Sequence, residues 1–369
     1  MYTLILKQEN IKKAIPFYYG LVVSNIDNVL FLNENEVIRD VDGASLYKIN
    51  EKLLQVFDKT EGCYYVTDSV IKSDFFLIKE MHNTNDIIIA SSKPVRVSLG
   101  VYKRDVLILD EDLVSVKKYI LRGYDKNPIT YTNSVLMFGN KFLLMAYTLP
   151  TATPLWQYDL SELGSWKDST NADQKYEVRD FIGIIDTSLF IKLNANEILV
   201  LDIQTGNVNE RLTFINQLKG ETTIERPSRD IPFFQTRYIV NQDKSIIQGL
   251  FLDLYYEISF KDGKSYTRVF GLKKEYEKWD IDPRNISKEN VIVNDNLYFL
   301  AYEQGRFGIL NTITKEIDYV SDPIAMGDRP NSFTQLKEIQ VTDDKVYVLA
   351  SDSTLHIFEK ESKSGRDEG

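Results

Sequence analysis

The chain has 369 residues, with 44 Lys and Arg against 54 Asp and Glu, a formal net charge of −10, two His and one Cys. One thiol closes no disulfide and builds no thiolate zinc site. No HExxH pair and no phosphate-cradling GxxxxGK[ST] loop occurs, and an acidic chain lacks the basic face that general nucleic-acid binding requires. With 43% hydrophobic and 27% charged residues, 22 Tyr and 19 Phe but only ten Ala, the composition is that of a folded protein inclined to strands.

Tyr2-Thr-Leu-Ile-Leu-Lys7 is a strand-like stretch too short for a signal peptide or a membrane span, and no run of eighteen apolar residues follows it. A cytoplasmic protein without membrane contact is expected, and the single Cys agrees with a reducing compartment.

Downstream, one unit recurs: a short acidic or Asn-containing turn followed by an aromatic-rich strand. It appears as Asp27-Asn-Val29-Leu-Phe31, Ser73-Asp-Phe75-Phe-Leu77, Gly139-Asn-Lys-Phe142-Leu143, Thr187-Ser-Leu189-Phe-Ile191, Asp243-Lys-Ser-Ile246-Ile247, Asn294-Asp-Asn-Leu297-Tyr-Phe-Leu-Ala301 and Asp343-Asp-Lys-Val346-Tyr-Val-Leu-Ala350. The strand starts at 29, 75, 142, 189, 246, 297 and 346 are separated by 46, 67, 47, 57, 51 and 49 positions. Seven units of roughly 50 residues match the four-stranded blades of a propeller. Further strands follow the units: Pro154–Leu160, Glu197–Asp202, Val208–Leu212, Arg306–Leu310 and Glu316–Val320, with Gly, Asn and Asp supplying the turns between them. The wide interval before 142 is filled by an extra strand pair around 86–90 and 95–99, or by an eighth, degenerate blade.

The last unit provides strands at 336–341, 345–350 and 354–358 and then runs into a charged tail, so it lacks an outer strand. Tyr2–Lys7 has no blade of its own. It is expected to pair with 354–358 and close the ring, which protects the sheet edges. The expected architecture is therefore all-β: a single seven-bladed β-propeller over 1–361, with eight blades as the alternative, and a disordered tail at 362–369. An open array of β-sandwiches is the rival architecture.

Leu201-Asp-Ile-Gln-Thr-Gly206 resembles the Leu-Asp-x-x-Thr-Gly segment of pyrroloquinoline-quinone-type propellers, and Trp156-Gln-Tyr-Asp159-Leu resembles the Trp-Asp strand end of WD-repeat-like blades with two residues inserted. The resemblance implies that Gly206 takes the tight turn between strands three and four. Glu210 stands where the former family carries Trp, so the inter-blade Trp contact is expected to be missing. No residue set matches ligands for a quinone, and no cofactor is expected. In general character the chain is also similar to bacterial toxin-neutralising immunity propellers.

Cys63 reads as the start of a strand with a buried thiol, His356 as a strand residue beside the closing seam, and His82 as a loop residue. Asp110-Glu-Asp112 and Asp343-Asp344 read as solvated turns, and Asp40-Val-Asp42-Gly43 is only a fragment of a calcium loop. No catalytic residue and no metal site is assigned. Loop length is the better signal. The connections after Leu160, Leu212, Phe270 and Val320 are long and join blade to blade, so they are expected to crowd one end of the ring. They hold the expected binding residues: Trp166, Arg179 and Asp180; Arg226, Arg229 and Asp230; Trp279, Asp280 and Arg284; Arg329 and Phe333. Trp and Arg are enriched at binding hot spots.

The expected function is a non-catalytic, monomeric protein-binding propeller whose acidic field favours a basic or neutral partner. An immunity-type inhibitor of a toxic enzyme is its most concrete form. The alternatives are a carboxylate-based hydrolase of a sugar, lactone or ester, and a scaffold subunit of a larger assembly.

Overall fold

The computed structural model describes residues 2–17 and 20–25, the strands between 28 and 139, and residues 142–148, 153–168, 170–195, 197–213, 238–241, 244–261, 264–324 and 335–360; between 33 and 139 it describes a side chain only at Leu46. The described strands form eight antiparallel sheets of four or five strands and one two-stranded hairpin. In chain order the sheets lie within 13–42 (sheet 1), 45–73 (sheet 2), 76–122 (sheet 3), 129–159 (sheet 4), 178–213 (sheet 5), 239–271 (sheet 6), 286–320 (sheet 7) and 336–360 (sheet 8). The hairpin, Ser165–Lys167 with Asp173–Lys175, lies between sheets 4 and 5.

Eight sheets are described where the sequence shows seven units, with eight as the alternative. Within sheet 2 acidic Glu61-Gly62 does precede the aromatic-rich strand Cys63–Val66, but only 12 positions before the unit at 75, so a spacing of roughly 50 residues passes over it. The wide interval is filled by the five-stranded sheet 3, in which Val101–Leu109 pairs with Ile88–Ser91, with Val95–Ser98 and with Ser115–Arg122. The expected extra pair is thus part of a sheet. Cys63 begins a strand, Cys63–Val66; its side chain, His82, Asp110-Glu-Asp112 and the tail lie outside what is described.

The N-terminal strand Tyr2–Gln8 pairs antiparallel with Leu355–Lys360 and forms the outer strand of sheet 8, as the sequence led one to expect. The chain then crosses at once into sheet 1. The Ile11 amide donates to the Ser353 carbonyl and the Lys12 amide to the Ser24 carbonyl, each at 2.7 Å.

First strands of successive sheets touch one another: sheet 4 against 5, 5 against 6, 7 against 8, 8 against 1 and 1 against 2, while sheet 6 meets sheet 7 through its second strand. In sheets 5, 7 and 8 the first strand is thus the one nearest the neighbouring sheets at one edge, and the opposite edge is formed by the last strand or, in sheet 8, by Tyr2–Gln8. The cores fill the spaces between consecutive sheets. Successive side chains on a strand point to opposite faces, so a middle strand divides its residues between two cores. Leu189, Ile191 and Leu193 pack against sheet 4, while Phe190 of the same strand packs against sheet 6. Leu297, Phe299 and Ala301 face sheet 6, and Tyr298 and Leu300 face sheet 8. Val346, Val348 and Ala350 face sheet 7, and Tyr347 and Leu349 face sheet 1. Burial on both faces is why these strands read as continuous apolar runs rather than alternating ones.

Polar latches join the outer parts of the sheets. Gly206 takes the expected left-handed turn, φ +75°, after Asp202 Oδ1 has accepted the Gln204 and Thr205 amides at 3.0 and 2.8 Å. The inter-sheet Trp contact expected to be missing is present, supplied from the preceding sheet. Trp156 lies against Gly206, where a Cβ would stand 2.6 Å from the indole, and its Nε1–H donates to the Ile203 carbonyl at 2.8 Å. Glu210, at the position where Trp was expected, reaches forward and accepts from the Ser265 amide and hydroxyl of sheet 6 at 2.9 and 2.7 Å. The same turn recurs in sheet 7 without glycine. Asn311 Oδ1 accepts the Ile313 and Thr314 amides, and Lys315 takes φ +65°. The Lys315 ammonium then reaches back to sheet 6, bonding Glu257 and the Thr312 carbonyl and lying 4.7 and 4.6 Å from the Tyr255 and Phe270 ring centroids. A cation held between aromatic faces and a carboxylate compensates a residue type that seldom adopts this backbone conformation.

Gly206→Ala meets both the positive φ and the indole, and is expected to cost about 1–3 kcal/mol; Trp156→Ala is expected to cost about 3 kcal/mol. Urea unfolding checks both, and non-additivity in the double variant checks that the two residues form one contact.

His356 is 1% exposed, and its two ring nitrogens have no hydrogen-bond partner among the described residues. It alternates with Leu355 and Ile357, which face sheet 1, so it points toward sheet 7. Burial, and then the charge of Lys7 opposite it in the pairing, hold its pKa below the ordinary value, with Asp352 opposing. The folded state thus keeps His356 neutral, while the unfolded chain takes up the proton as pH falls through about 6.5. Stability is full above that pH and is lost below it, until the folded histidine also titrates. Wild type is expected to lose up to about 1.4 kcal/mol per pH unit below 6.5 through this group, and His356→Leu is expected to flatten the Tm profile between pH 7.5 and 5.5.

Candidate functional site

The connections from the last strand of one sheet to the first of the next meet the connections between second and third strands, so they share one end of the structure. Asn194, in the second-to-third turn of sheet 5, accepts from the Glu177 amide at 3.0 Å and donates to the Lys175 carbonyl at 2.9 Å. Gln304, in the matching turn of sheet 7, accepts from the Asp282 amide at 3.0 Å and donates to the Asp280 carbonyl at 2.7 Å. Arg306 donates to the carbonyls of Trp279 (2.9 Å) and Ser321 (2.7 Å), and the Ile324 amide donates to the Gly305 carbonyl at 2.8 Å. The described parts of the connections, at 175–177, 280–282 and 321–324, are therefore anchored to the strands of sheets 5 and 7.

Six of the eleven expected binding residues fall within the described residues. Trp166 sits in the hairpin, half-buried against the core between sheets 4 and 5, with its indole N–H donating to the Lys175 carbonyl at 3.3 Å. Arg179 and Asp180 belong to the inner strand Val178–Ile185 rather than to a loop, because Tyr176 and Val178 are already buried and the strand starts early. Both are exposed. Trp279 ends a short helix, Lys273–Trp279, and works with it as an edge cover: its N–H donates to the Ile317 carbonyl at 3.1 Å, and Glu275 accepts the Ile317 amide at 2.9 Å. Both backbone polar groups of that outer-strand residue are thus bonded to side chains of the helix. Asp280 is the left-handed C-cap of the helix, φ 53°. Arg284 follows in a 3-10 turn, Pro283–Asn285, capped by Asp282. Its guanidinium grips Asp282 at 2.6–3.1 Å yet remains 84% exposed. These bonds hold the Asp282 carboxyl below the usual carboxylate range. Arg226, Arg229, Asp230, Arg329 and Phe333 lie outside the described residues.

The two Trp are therefore packing elements, and the exposed members of the set are Arg179, Asp180, Asp280 and Arg284. Other residues at this end are absent from the expected set. Arg211 lies 4.9 Å from the Tyr176 ring centroid and donates to Tyr176 Oη at 2.5 Å and to Glu197 at 2.7 Å. Lys192, 8% exposed, lies 5.2 Å from the Tyr238 ring centroid. Burial, and then the charge of Lys288, hold its pKa below the ordinary lysine value, with Asp180 opposing. These residues come from strands, where loop length gives no signal.

The shifted carboxyls of Asp159, Asp168 and Asp282 are all lowered, each first by hydrogen bonds to the ionised form. Among the described residues no group of three or more His, Cys, Asp or Glu is placed to hold a metal ion.

No family model and no curated relative matches the chain. Solved structures do match. BamB from Moraxella catarrhalis is 12% identical with a TM-score of 0.55, covering 98% of this chain and 100% of that one. Sqt1 from Saccharomyces cerevisiae is 10% identical with a TM-score of 0.58, covering 97% and 99%. The β-propeller domain of Swd1 from Myceliophteria thermophila is 8% identical with a TM-score of 0.51, covering 98% and 100%. At these identities the likeness is one of fold, and it covers 97–98% of this chain. The protein is an all-β propeller.

Gln304 replaces two backbone partners at once, so Gln304→Ala is expected to cost about 1–2 kcal/mol through the two unmade hydrogen bonds and to raise amide hydrogen exchange within 280–285 before elsewhere in sheet 7.

Proposed function

We propose that the chain is a non-catalytic, protein-binding propeller of eight blades, closed by pairing of the N-terminal strand with the last sheet, and that it binds its partner through the end where the connections cross. One observation carries this reading. The connections at that end are pinned by Asn194, Gln304 and Arg306 to strands buried on both faces, while Arg284 is pre-ordered by Asp282 and left in solvent. A rigid, polar, pre-organised surface lowers the entropy lost on association and favours a protein partner. Fold alone names no activity, because propellers host many; the argument therefore rests on the surface. The most concrete form of the reading is an immunity-type inhibitor that covers a toxic enzyme. The chain's net charge of −10 favours a basic or neutral partner at long range.

Affinity capture from the native host with the full chain is expected to recover one specific protein, and Arg284→Ala is expected to weaken capture about tenfold with Tm unchanged. Loss of capture only by substitutions at the opposite end, for example in the 202–207 turn, would overturn the reading.

A further inference from the structure

Among the described residues, six buried side-chain nitrogen and oxygen atoms have no hydrogen-bond partner, and three of them sit on one strand pair: Oε1 of Gln8 and both ring nitrogens of His356. In that pair Gln8 stands opposite Leu355 and Lys7 opposite His356. On its other side His356 stands opposite Val348. A buried polar group left without a bond takes stability from the ladder that holds it.

The two neighbours of His356 are held with unequal firmness. Strand Lys345–Ala350 is buried at every residue but the first. In Tyr2–Gln8 no residue is fully buried, and Thr3, Leu4, Ile5 and Lys7 are exposed. Tyr2–Gln8 is paired along one edge among the described strands, and its register slips between Leu4 and Leu6. Its anchors are the Tyr2 ring, 6.1 and 5.5 Å from the Phe307 and Tyr319 ring centroids, the Tyr2–Tyr298 hydroxyl contact at 3.2 Å, and Leu6 against the core shared with sheet 1. Removing this strand is therefore the smallest rearrangement that brings water to His356.

Nothing around His356 is placed to hold an imidazolium. Lys7 stands opposite it in the ladder. The carboxylate of Asp352, in the preceding turn, accepts the Thr354 amide at 2.9 Å. Strand Lys345–Ala350 turns Val346, Val348 and Ala350 to the same face, and sheet 7 meets that face with apolar residues and the phenols of Tyr298, Tyr302 and Tyr319. Phenols ordinarily titrate near pH ~10, far from histidine. The lowered pKa of His356, set by burial, then by Lys7, and opposed by Asp352, agrees with this placement.

We propose that Tyr2–Gln8 is an acid-released clasp: protonation of His356 frees this strand from Leu355–Lys360 while the other sheets stay folded. A neutral imidazole is tolerated in a dry site without partners, and an imidazolium is not. Release hydrates the ring and the Gln8 side-chain carbonyl together and separates the ring from Lys7. It uncovers the edge of Leu355–Lys360 and the faces of Phe307 and Tyr319 against which Tyr2 packs, leaving a free strand edge beside apolar surface. In the released form His356 titrates near its ordinary value of about 6.5, above that of the clasped form, so release gains population as pH falls through that value. The clasp is independent of what the connection end binds.

The test is hydrogen exchange on the full chain at pH 7.5, 6.5 and 5.5, expressed as protection factors so that the intrinsic pH dependence of exchange is removed. Protection of the 2–8 amides is expected to fall by up to about tenfold from pH 7.5 to 5.5, while protection within 188–193 and 296–301 is unchanged. His356→Leu is expected to hold the 2–8 protection constant over that range. Because the chain has two His, His82→Gln leaves one imidazole NMR signal, and this reads the same group should His356→Leu not fold. That signal is expected to titrate in step with the loss of protection at 2–8. Constant protection at 2–8 in wild type would overturn the proposal, and so would an equal fall in His356→Leu. A fall shared by 188–193 and 296–301 would show global unfolding in place of a clasp, and an imidazole that titrates with 2–8 still protected would remove the coupling.

Discussion

The structure depends on two-sided burial. Every middle strand described in sheets 5, 7 and 8 belongs to two cores at once, so the alternation of side chains along it, which elsewhere separates core from solvent, here separates one neighbour from the next. Phe190 and Leu189 are adjacent in sequence and lie in different cores; Tyr347 and Val348 do the same at the seam between the ends of the chain. A sheet of this kind has no solvent face to relax into, and its stability is shared with both neighbours. A slip of one residue in one strand would exchange the side chains of two interfaces. Pairing of Tyr2–Gln8 with Leu355–Lys360 matters for the same reason, since it lets the last sheet present a complete surface to sheets 7 and 1.

Between the cores, neighbouring sheets are joined by latches whose chemistry varies while their geometry is kept. Trp156 over Gly206, Glu210 on Ser265 and Lys315 between Tyr255 and Phe270 each tie an outer-strand region to an adjacent sheet. An aromatic, a carboxylate and an ammonium fill equivalent roles. Such substitution is tolerated when the fold comes from apolar burial and the latch only has to satisfy the local polar groups. It also explains the lack of a repeating motif, because no single residue type has to recur.

At the proposed binding end, the same rigidity becomes functional. Among the described residues, the connections leading into sheets 5 and 7 are fixed by the amide side chains of Asn194 and Gln304 and the guanidinium of Arg306 to strands buried on both faces. The two Trp expected to be contact residues are used to close the hairpin and to cover the edge of sheet 7. The exposed charges that remain come from connections and from bulged inner strands alike. Register slips at three strand starts place acid–base pairs there, Arg179 with Asp180, Lys288 with Glu289 and Lys337 with Glu338.

Much of the architecture was legible in the sequence. Strands at 188–193, 197–202, 296–301, 306–311 and 345–350 follow directly from apolar runs bounded by Asp and Asn turns, and the spare strand at each end of the chain announced their pairing. Sheet 2 was not legible, since its unit-like segment Glu61-Gly-Cys63-Tyr-Tyr-Val66 stands too close to the unit at 75 to fit a spacing of roughly 50 residues. The repeat also did not reveal strand rank: the unit marks the third strand in sheets 1 and 4, the first in sheet 3 and the second in sheets 5 to 8. Apolar content and turn chemistry are local properties, readable in a single chain segment, and they determined that this protein is built of short, doubly buried antiparallel strands. The number of sheets, the donor that contacts Gly206, the packing role of Trp166 and Trp279, and the register slips that carry Arg179, Lys288 and Lys337 depend on which segments become neighbours. Only the tertiary structure decided these, because register and inter-sheet contact join residues whose sequence separation carries no signal.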